Sequence, residues 1–155
     1  MLRCEKVIPE FNKNGNLPPG VHWTEWEKFV ERFGYNLDRE KIINGLSRAM
    51  TQLKAAGCRT IYIDGSFITS KKRPGDFDAC WDADDVDMNY LRKNAPTLLN
   101  HFDRQAQKAK YRGDIFRSDE PVGDLNVNSF EFFQRDREFN KKGIVVMDLV
   151  RWNYD

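Results

Sequence analysis

Apolar positions recur at helical spacing twice in the first third of the chain and then shift to strand-like runs. Trp26, Phe29, Val30 and Phe33 stand at i, i+3, i+4 and i+7, the core-facing stripe of an amphipathic helix. Thr24 and Glu27 have capping-box spacing at its start, and Gly34 fits the glycine position just past its end. Ile42, Leu46, Ala49, Met50 and Leu53 share one face of a second helix over 38–56, stopped by Gly57. Ahead of both, Pro9, Gly15, Pro18, Pro19 and Gly20 make residues 1–20 an irregular leader.

The period then changes. Residues 60–63 form a short β-rich run that ends in Asp64-Gly65-Ser66. A loop rich in Lys, Arg, Pro and Gly leads to a second strand, Asp76 to Trp81. A helical stretch over 86–110 carries Leu98, Leu99, Phe102, Ala106 and Ala109 on its apolar side. It breaks near Asn94-Ala95-Pro96, because proline suits the first turn of a new helix. A third strand over 111–117 includes Asp114, residues 118–128 are loop-like, and 129–137 read as a short helix with Phe132 and Phe133. Residues 144–149 are the clearest strand of the chain. The order α, α, β, β, α, β, α, β predicts a single α/β (α+β) domain, a small mixed sheet with helices packed on it.

Residues 61–82 hold the candidate chemistry. A strand runs into Gly65-Ser66, nine residues intervene, and a second strand opens with Asp76-Phe77-Asp78. Glycine allows a tight turn and lets a phosphate approach the backbone. The N–H groups that follow, with the Ser66 hydroxyl, are donors for phosphate oxygens. Asp76 and Asp78, two apart on a strand, point to the same side. Two like charges so close raise each other's pKa unless a cation is present. Mg²⁺ takes hard oxygen ligands and keeps places for substrate phosphates, and a third carboxylate would let two metals bind about 3.5–4 Å apart.

These residues resemble the signature of the polymerase-β-type nucleotidyltransferase superfamily in its minimal form. The chain as a whole, with Ile8-Pro9-Glu10-Phe11, Leu17-Pro18-Pro19-Gly20 and Lys142-Gly143-Ile144-Val145, is also similar to small bacterial and phage proteins assigned to that superfamily. The resemblance implies a nucleotidyltransferase-type core over 60–150, with two added N-terminal helices over 22–57. It implies Mg²⁺ or Mn²⁺ as cofactor, an NTP as substrate, and a third carboxylate on the strand after the Asp-x-Asp strand. Asp114, followed by an apolar residue, takes that place ahead of Asp124 and Asp148. Asp76, Asp78 and Asp114 are then the catalytic metal ligands, and Gly65, Ser66, Lys71, Lys72 and Arg73 the nucleotide-binding set. An NMP would pass from the NTP to a hydroxyl of a protein or RNA acceptor. Small members of the superfamily act in toxin–antitoxin or phage-defence pairs, so a cognate toxin or antitoxin is a candidate partner.

The residues themselves leave other readings open. Asp-x-Asp also occurs in glycosyltransferases, where it binds a metal with a nucleotide sugar. The same fold without turnover would serve as an antitoxin or nucleotide sensor. Lys71, Lys72 and Arg73 fit a solvated loop as well as a phosphate contact, and so do Arg135, Arg137, Lys141 and Lys142 beyond the late helix. Asp82, Asp84, Asp85 and Asp87 suit a helix start. His22 and His101 have no partner at metal spacing.

Composition trims the alternatives. Lys plus Arg is 25 and Asp plus Glu is 24, a net charge of +1, which argues against a strongly basic nucleic-acid binder. The first ten residues carry charges where a signal peptide needs an apolar run. No stretch approaches the roughly 20 apolar residues of a membrane span. Cys4, Cys58 and Cys80 are far apart and read as reduced thiols. A cytoplasmic protein with no membrane partner is expected.

Overall fold

Five strands hydrogen-bond into one sheet in the order β1-β5-β2-β3-β4 in the computed structural model, which describes residues 7–153. The strands are β1 Gly20–Trp23, β2 Thr60–Asp64, β3 Phe77–Trp81, β4 Gly113–Arg117 and β5 Gly143–Asp148. β1 runs parallel to β5 and β3 parallel to β4, while β2 is antiparallel to both β5 and β3. The helices are α1 Trp26–Phe33, α2 Leu37–Ala55, α3 Met88–Asn94, α4 Pro96–Leu99, α5 Arg104–Tyr111 and α6 Ser129–Phe132. The expected mixed sheet with packed helices is therefore observed.

The strand directions decide what meets at the rim. Because β2 opposes β3 and β5, its end lies beside the starts of β3, β4 and β5. Residues 64–66, 76–78, 113–114 and 142–143 are thus gathered from four distant parts of the chain. Strand alternation sorts the two faces. Ile61, Ile63, Ala79, Val145 and Met147 enter the main core with Phe29, Phe33, Leu46, Met50 and Leu53 of α1 and α2. Each such side chain contributes about 1.5–3 kcal/mol by leaving water. Tyr62, Cys80, Phe116 and Ile144 face the other way, under Phe130 and Phe133 of the late segment. Helix α5 crosses α2 at Gly45, where a Cβ would come within 2.0 Å of the Tyr111 carbonyl oxygen. That close approach seats α5 with its Arg104 and Lys108 in reach of the rim.

Several local expectations are corrected. Residues 20–23, given no strand by the sequence pattern, form the edge strand β1. Gly143 N–H donates to the Leu17 carbonyl and Thr24 N–H to the Val146 carbonyl, extending the ladder at both ends. The same bond removes the predicted capping box: Thr24 continues the strand, and Glu25 becomes the N-cap without a side-chain cap. Gly34 has φ −101°, not the left-handed region. Its small size is what counts, since a Cβ would stand 2.7 Å from Ile43 Cδ1. The stretch over 86–110 breaks twice, at Pro96 and again before Arg104, where Asp103 caps α5 by accepting from Ala106 N–H. Phe102 falls in that second break and is 85 % exposed rather than core-facing. Tyr111 ends α5, so the third core strand starts only at Gly113, and the late helix has a single turn.

The described part of the leader drapes over α1, where Arg32 donates to the carbonyls of Ile8 and Pro9. Cys58 and Cys80 are buried free thiols; Cys4 lies outside the described residues. Among the described residues no helix is long and apolar enough to cross a membrane.

Candidate active site

Asp64 ends β2, and Asp78 and Asp114 are each the second residue of their strands. Asp64 is the direct register partner of Asp78, and Asp78 of Asp114. Direct partners on neighbouring strands share a face with Cβ atoms about 4.5–5.5 Å apart. Three carboxylates therefore stand in a row across three strands, on the face that carries Tyr62, Cys80 and Phe116. Asp76, just before β3, is close enough to act on Asp78 electrostatically. The structure thus brings the expected Asp76, Asp78 and Asp114 together and adds Asp64, which the sequence reading left out.

The row is short of positive charge at its centre. Burial first, then the charges of Asp64, Asp114 and Asp76, push the Asp78 carboxyl up to about 7, with Lys142 opposing. Burial pushes Asp64 up to about 6 against the pull of Lys142 and the Gly65 N–H. Among the described residues, ion pairs go to the other acids. Lys142 Nζ lies 3.0 Å from Asp64 Oδ1, Arg104 Nη2 3.0 Å from Asp114 Oδ2, and Lys108 Nζ 2.9 Å from Asp76 Oδ2. These contacts raise the pKa of Arg104 and Lys108. With the side chains so placed, no group of three or more His, Cys, Asp or Glu among the described residues converges tightly enough to hold a metal. The donor set nevertheless suits a hard divalent cation: it is all carboxylate oxygen, and the charge of its inner member is disfavoured by burial and by its acidic neighbours.

The Gly65-Ser66 turn abuts this row. Gly65 has φ +86°, and a Cβ there would stand 2.6 Å from Asp78 Oδ2. Ser66 opens a single 3₁₀ turn, Ser66–Ile68, rather than a longer helix. Thr69 closes it, its hydroxyl donating to the Ser66 carbonyl at 2.6 Å. The loop beyond is docked on the start of α2. Asn36 donates to the Lys72 carbonyl, and Arg73 pairs with Asp38 at 3.6 Å. Lys71, Lys72 and Arg73 all have exposed side chains. Replacing Gly65 by alanine strains the backbone and pushes on Asp78 at once. It should cost about 1–3 kcal/mol, read as a lower melting temperature; an unchanged melt would mean that the turn takes up the Cβ without strain.

Arg39 holds this loop from beneath. Its guanidinium is fully buried and donates to the carbonyls of Phe33 and Phe67 from Nη1 and of Thr69 and Lys71 from Nη2. Three of those four carbonyls belong to the segment after Gly65. Desolvation lowers its pKa, with Tyr35 opposing.

The remaining candidates go to other tasks. Asp148 lies at the opposite end of the sheet, paired in register with Thr60, and accepts from Val150 N–H. Asp124 is exposed in the loop over 118–128. Asp82 accepts from the hydroxyls of Tyr62 and Ser118, Asp85 pairs with Arg59, and Asp87 caps α3. His22 Nε2 contacts the Pro18 carbonyl, and His101 lies 3.7 Å from Glu120.

One protein-family model, described as "Family of unknown function (DUF6932)", matches residues 9–148. No curated protein and no solved structure matches the chain.

Proposed function

The chain belongs to the DUF6932 family, and for it we propose divalent-metal-dependent nucleotidyl transfer, from an NTP to a hydroxyl of a protein or RNA acceptor. The single observation that carries the reading is the carboxylate row beside a phosphate-gripping turn. Asp64, Asp78 and Asp114 are register partners, with Asp76 adjoining and Gly65 against the Asp78 carboxylate. Asp76, Asp78 and Asp114 would hold Mg²⁺, which when bound supplies charge neutralisation for the triphosphate and the carboxylates together. The Ser66 hydroxyl and the backbone at the start of its turn orient the phosphate tail, the Ile68 and Thr69 N–H groups being already donated to the Gly65 and Ser66 carbonyls. The acceptor oxygen bonds to the α-phosphorus, the bond to the bridging oxygen breaks, and pyrophosphate leaves. Asp114, buried at the outer end of the row, takes the hydroxyl proton. With a cation held there, Arg104 and Lys108, which pair with Asp114 and Asp76, would be free to neutralise the developing phosphate charge.

The three ion pairs also favour a second reading. A row whose flanking acids are already paired with Lys142, Arg104 and Lys108 would suit a binding module without turnover, a nucleotide sensor or the antitoxin half of a pair. One experiment separates the two. Each α-labelled NTP is incubated with the protein, MgCl₂ and a lysate of the source cell. Transfer predicts a labelled macromolecule, with labelling reduced about 10²–10⁴-fold in Asp114→Asn. Nucleotide binding without labelling would select the silent module. Labelling unaffected by Asp114→Asn would exclude Asp114 as the proton acceptor.

A further inference from the structure

A cavity of about 750 Å³ opens between the late segment and the starts of β1 and β5, and reaches the carboxylate row through Lys142. Sites for small ligands occupy roughly 300–1,000 Å³. Arg135, Lys141 and Lys142 line it, with Glu131 as the opposing charge, and so do Phe132 and Phe139. Lys142 belongs to both places, since it lines the cavity and pairs with Asp64.

Phe139 is the informative residue. Its φ is +63°, a conformation costly for a bulky side chain and one that persists only when its surroundings enforce it. Asp136 does so, accepting from Glu138 N–H and Asn140 N–H at 2.9 Å each, while its own N–H donates to the Asn140 carbonyl. Arg135 Nη1 donates to the Phe139 carbonyl at 3.3 Å. The turn so built leaves the Phe139 side chain 55 % exposed. Core packing does not account for an aromatic ring held in a strained turn, out of the core, beside three cations. Aromatic faces stack on nucleobases, and neighbouring cations hold phosphates.

The sheet order assigns the direction. Along the rim come Asp114 on β4, Asp76 and Asp78 at β3, Gly65-Ser66 after β2, then Lys142 before β5 and the cavity. The acid that would take the acceptor's proton and the cavity lie on opposite flanks of the phosphate-gripping turn.

We propose that this cavity is the pocket for the donor nucleotide, an inference that rests on the nucleotidyl-transfer reading. Phe139 and Phe132 stack on the base. Arg135 and Lys141 neutralise the phosphates, and Lys142 turns from Asp64 to the same task.

The test is equilibrium binding of ATP, GTP, CTP, UTP and inorganic tripolyphosphate to the full chain in MgCl₂. Three proteins are compared: wild type, Phe139→Gly and the double variant Arg135→Glu/Lys141→Glu. Glycine relieves the strain at residue 139, so Phe139→Gly should melt no lower than wild type. It should bind the four NTPs about tenfold more weakly, because a stacking face is lost, and bind tripolyphosphate unchanged. The double variant should weaken all five ligands. Equal NTP affinity in all three folded proteins would overturn the pocket and leave the transfer reading standing, provided Asp114→Asn still loses labelling. A wild-type protein that binds none of the four NTPs and labels nothing would end both.

Discussion

Arg39→Leu should lower stability by about 3–5 kcal/mol, a large part of the 5–15 kcal/mol that holds a domain of this size. Leucine fills much of the space but donates nothing. The carbonyls of Phe33, Phe67, Thr69 and Lys71 would lose their donors, and each buried carbonyl left unpaired costs about 1–3 kcal/mol. Water reaches Thr69 and Lys71 more easily than Phe33 and Phe67, so the penalty falls short of four full bonds. Arg39→Lys should recover little, because an ammonium group has no planar fork to span four acceptors. The stacking of the guanidinium on Tyr35 and Phe67, 4.9 and 5.0 Å from the ring centroids, would also be lost. Thermal melts and urea titrations measure the effect. Amide exchange locates it: protection should fall first in the segment from Phe67 to Lys71, and with it the Gly65-Ser66 turn. A melting temperature within about 2 °C of wild type would mean that the four bonds do not anchor the loop.

The place of Arg39 is readable in the sequence once its position is counted. Arg39, Ile42, Ile43 and Leu46 stand at i, i+3, i+4 and i+7, so the arginine lies on the apolar stripe of α2. A charge there is either an error of phase or a buried anchor. The period change after Gly57 and the order of elements were enough to predict the mixed sheet, because they depend on local spacing alone. The features that were missed depend on partners distant in sequence. The strand β1 has too few residues to alternate and exists because β5 offers it an open edge. Thr24 looked like a helix cap because the sequence does not show its N–H claimed by Val146.

The same division runs through the candidate site. The shared face of Asp76 and Asp78 followed from strand spacing and the choice of Asp114 from the family resemblance, and β4 does lie beside β3 with Asp114 opposite Asp78. Asp64 was passed over because its role comes from antiparallel register with Asp78. Its one local signal is that it shares strand parity with Tyr62, away from the core-facing Ile61 and Ile63. Lys142, Arg104 and Lys108 had no local signal: each meets its carboxylate at least ten residues away, and for Lys142 the separation is about half of the chain.

Asp78→Asn should have opposite effects on stability and on function. In the folded protein the Asp78 carboxyl is pushed up to about 7, against roughly 3.9 in an unfolded chain. Between those values the native state binds more protons than the unfolded one, so stability falls as pH rises through the window. The penalty is absent below about pH 4, where both states are protonated, and complete above the folded value. Asparagine has no charge to bury. In EDTA the variant should melt with wild type at pH 4 and several degrees above it at pH 8, a difference on the order of a few kcal/mol. Mg²⁺ should narrow the gap. Wild type gains about 2.7 kcal/mol when the metal is at 100 times its dissociation constant, while the variant lacks a central ligand and gains little. NTP labelling should disappear in the variant at every pH. Melting curves for the two proteins that stay parallel from pH 4 to 8, unmoved by Mg²⁺, would show that the carboxylate row is not held in mutual repulsion. The argument for a metal between these strands would then lose its electrostatic basis.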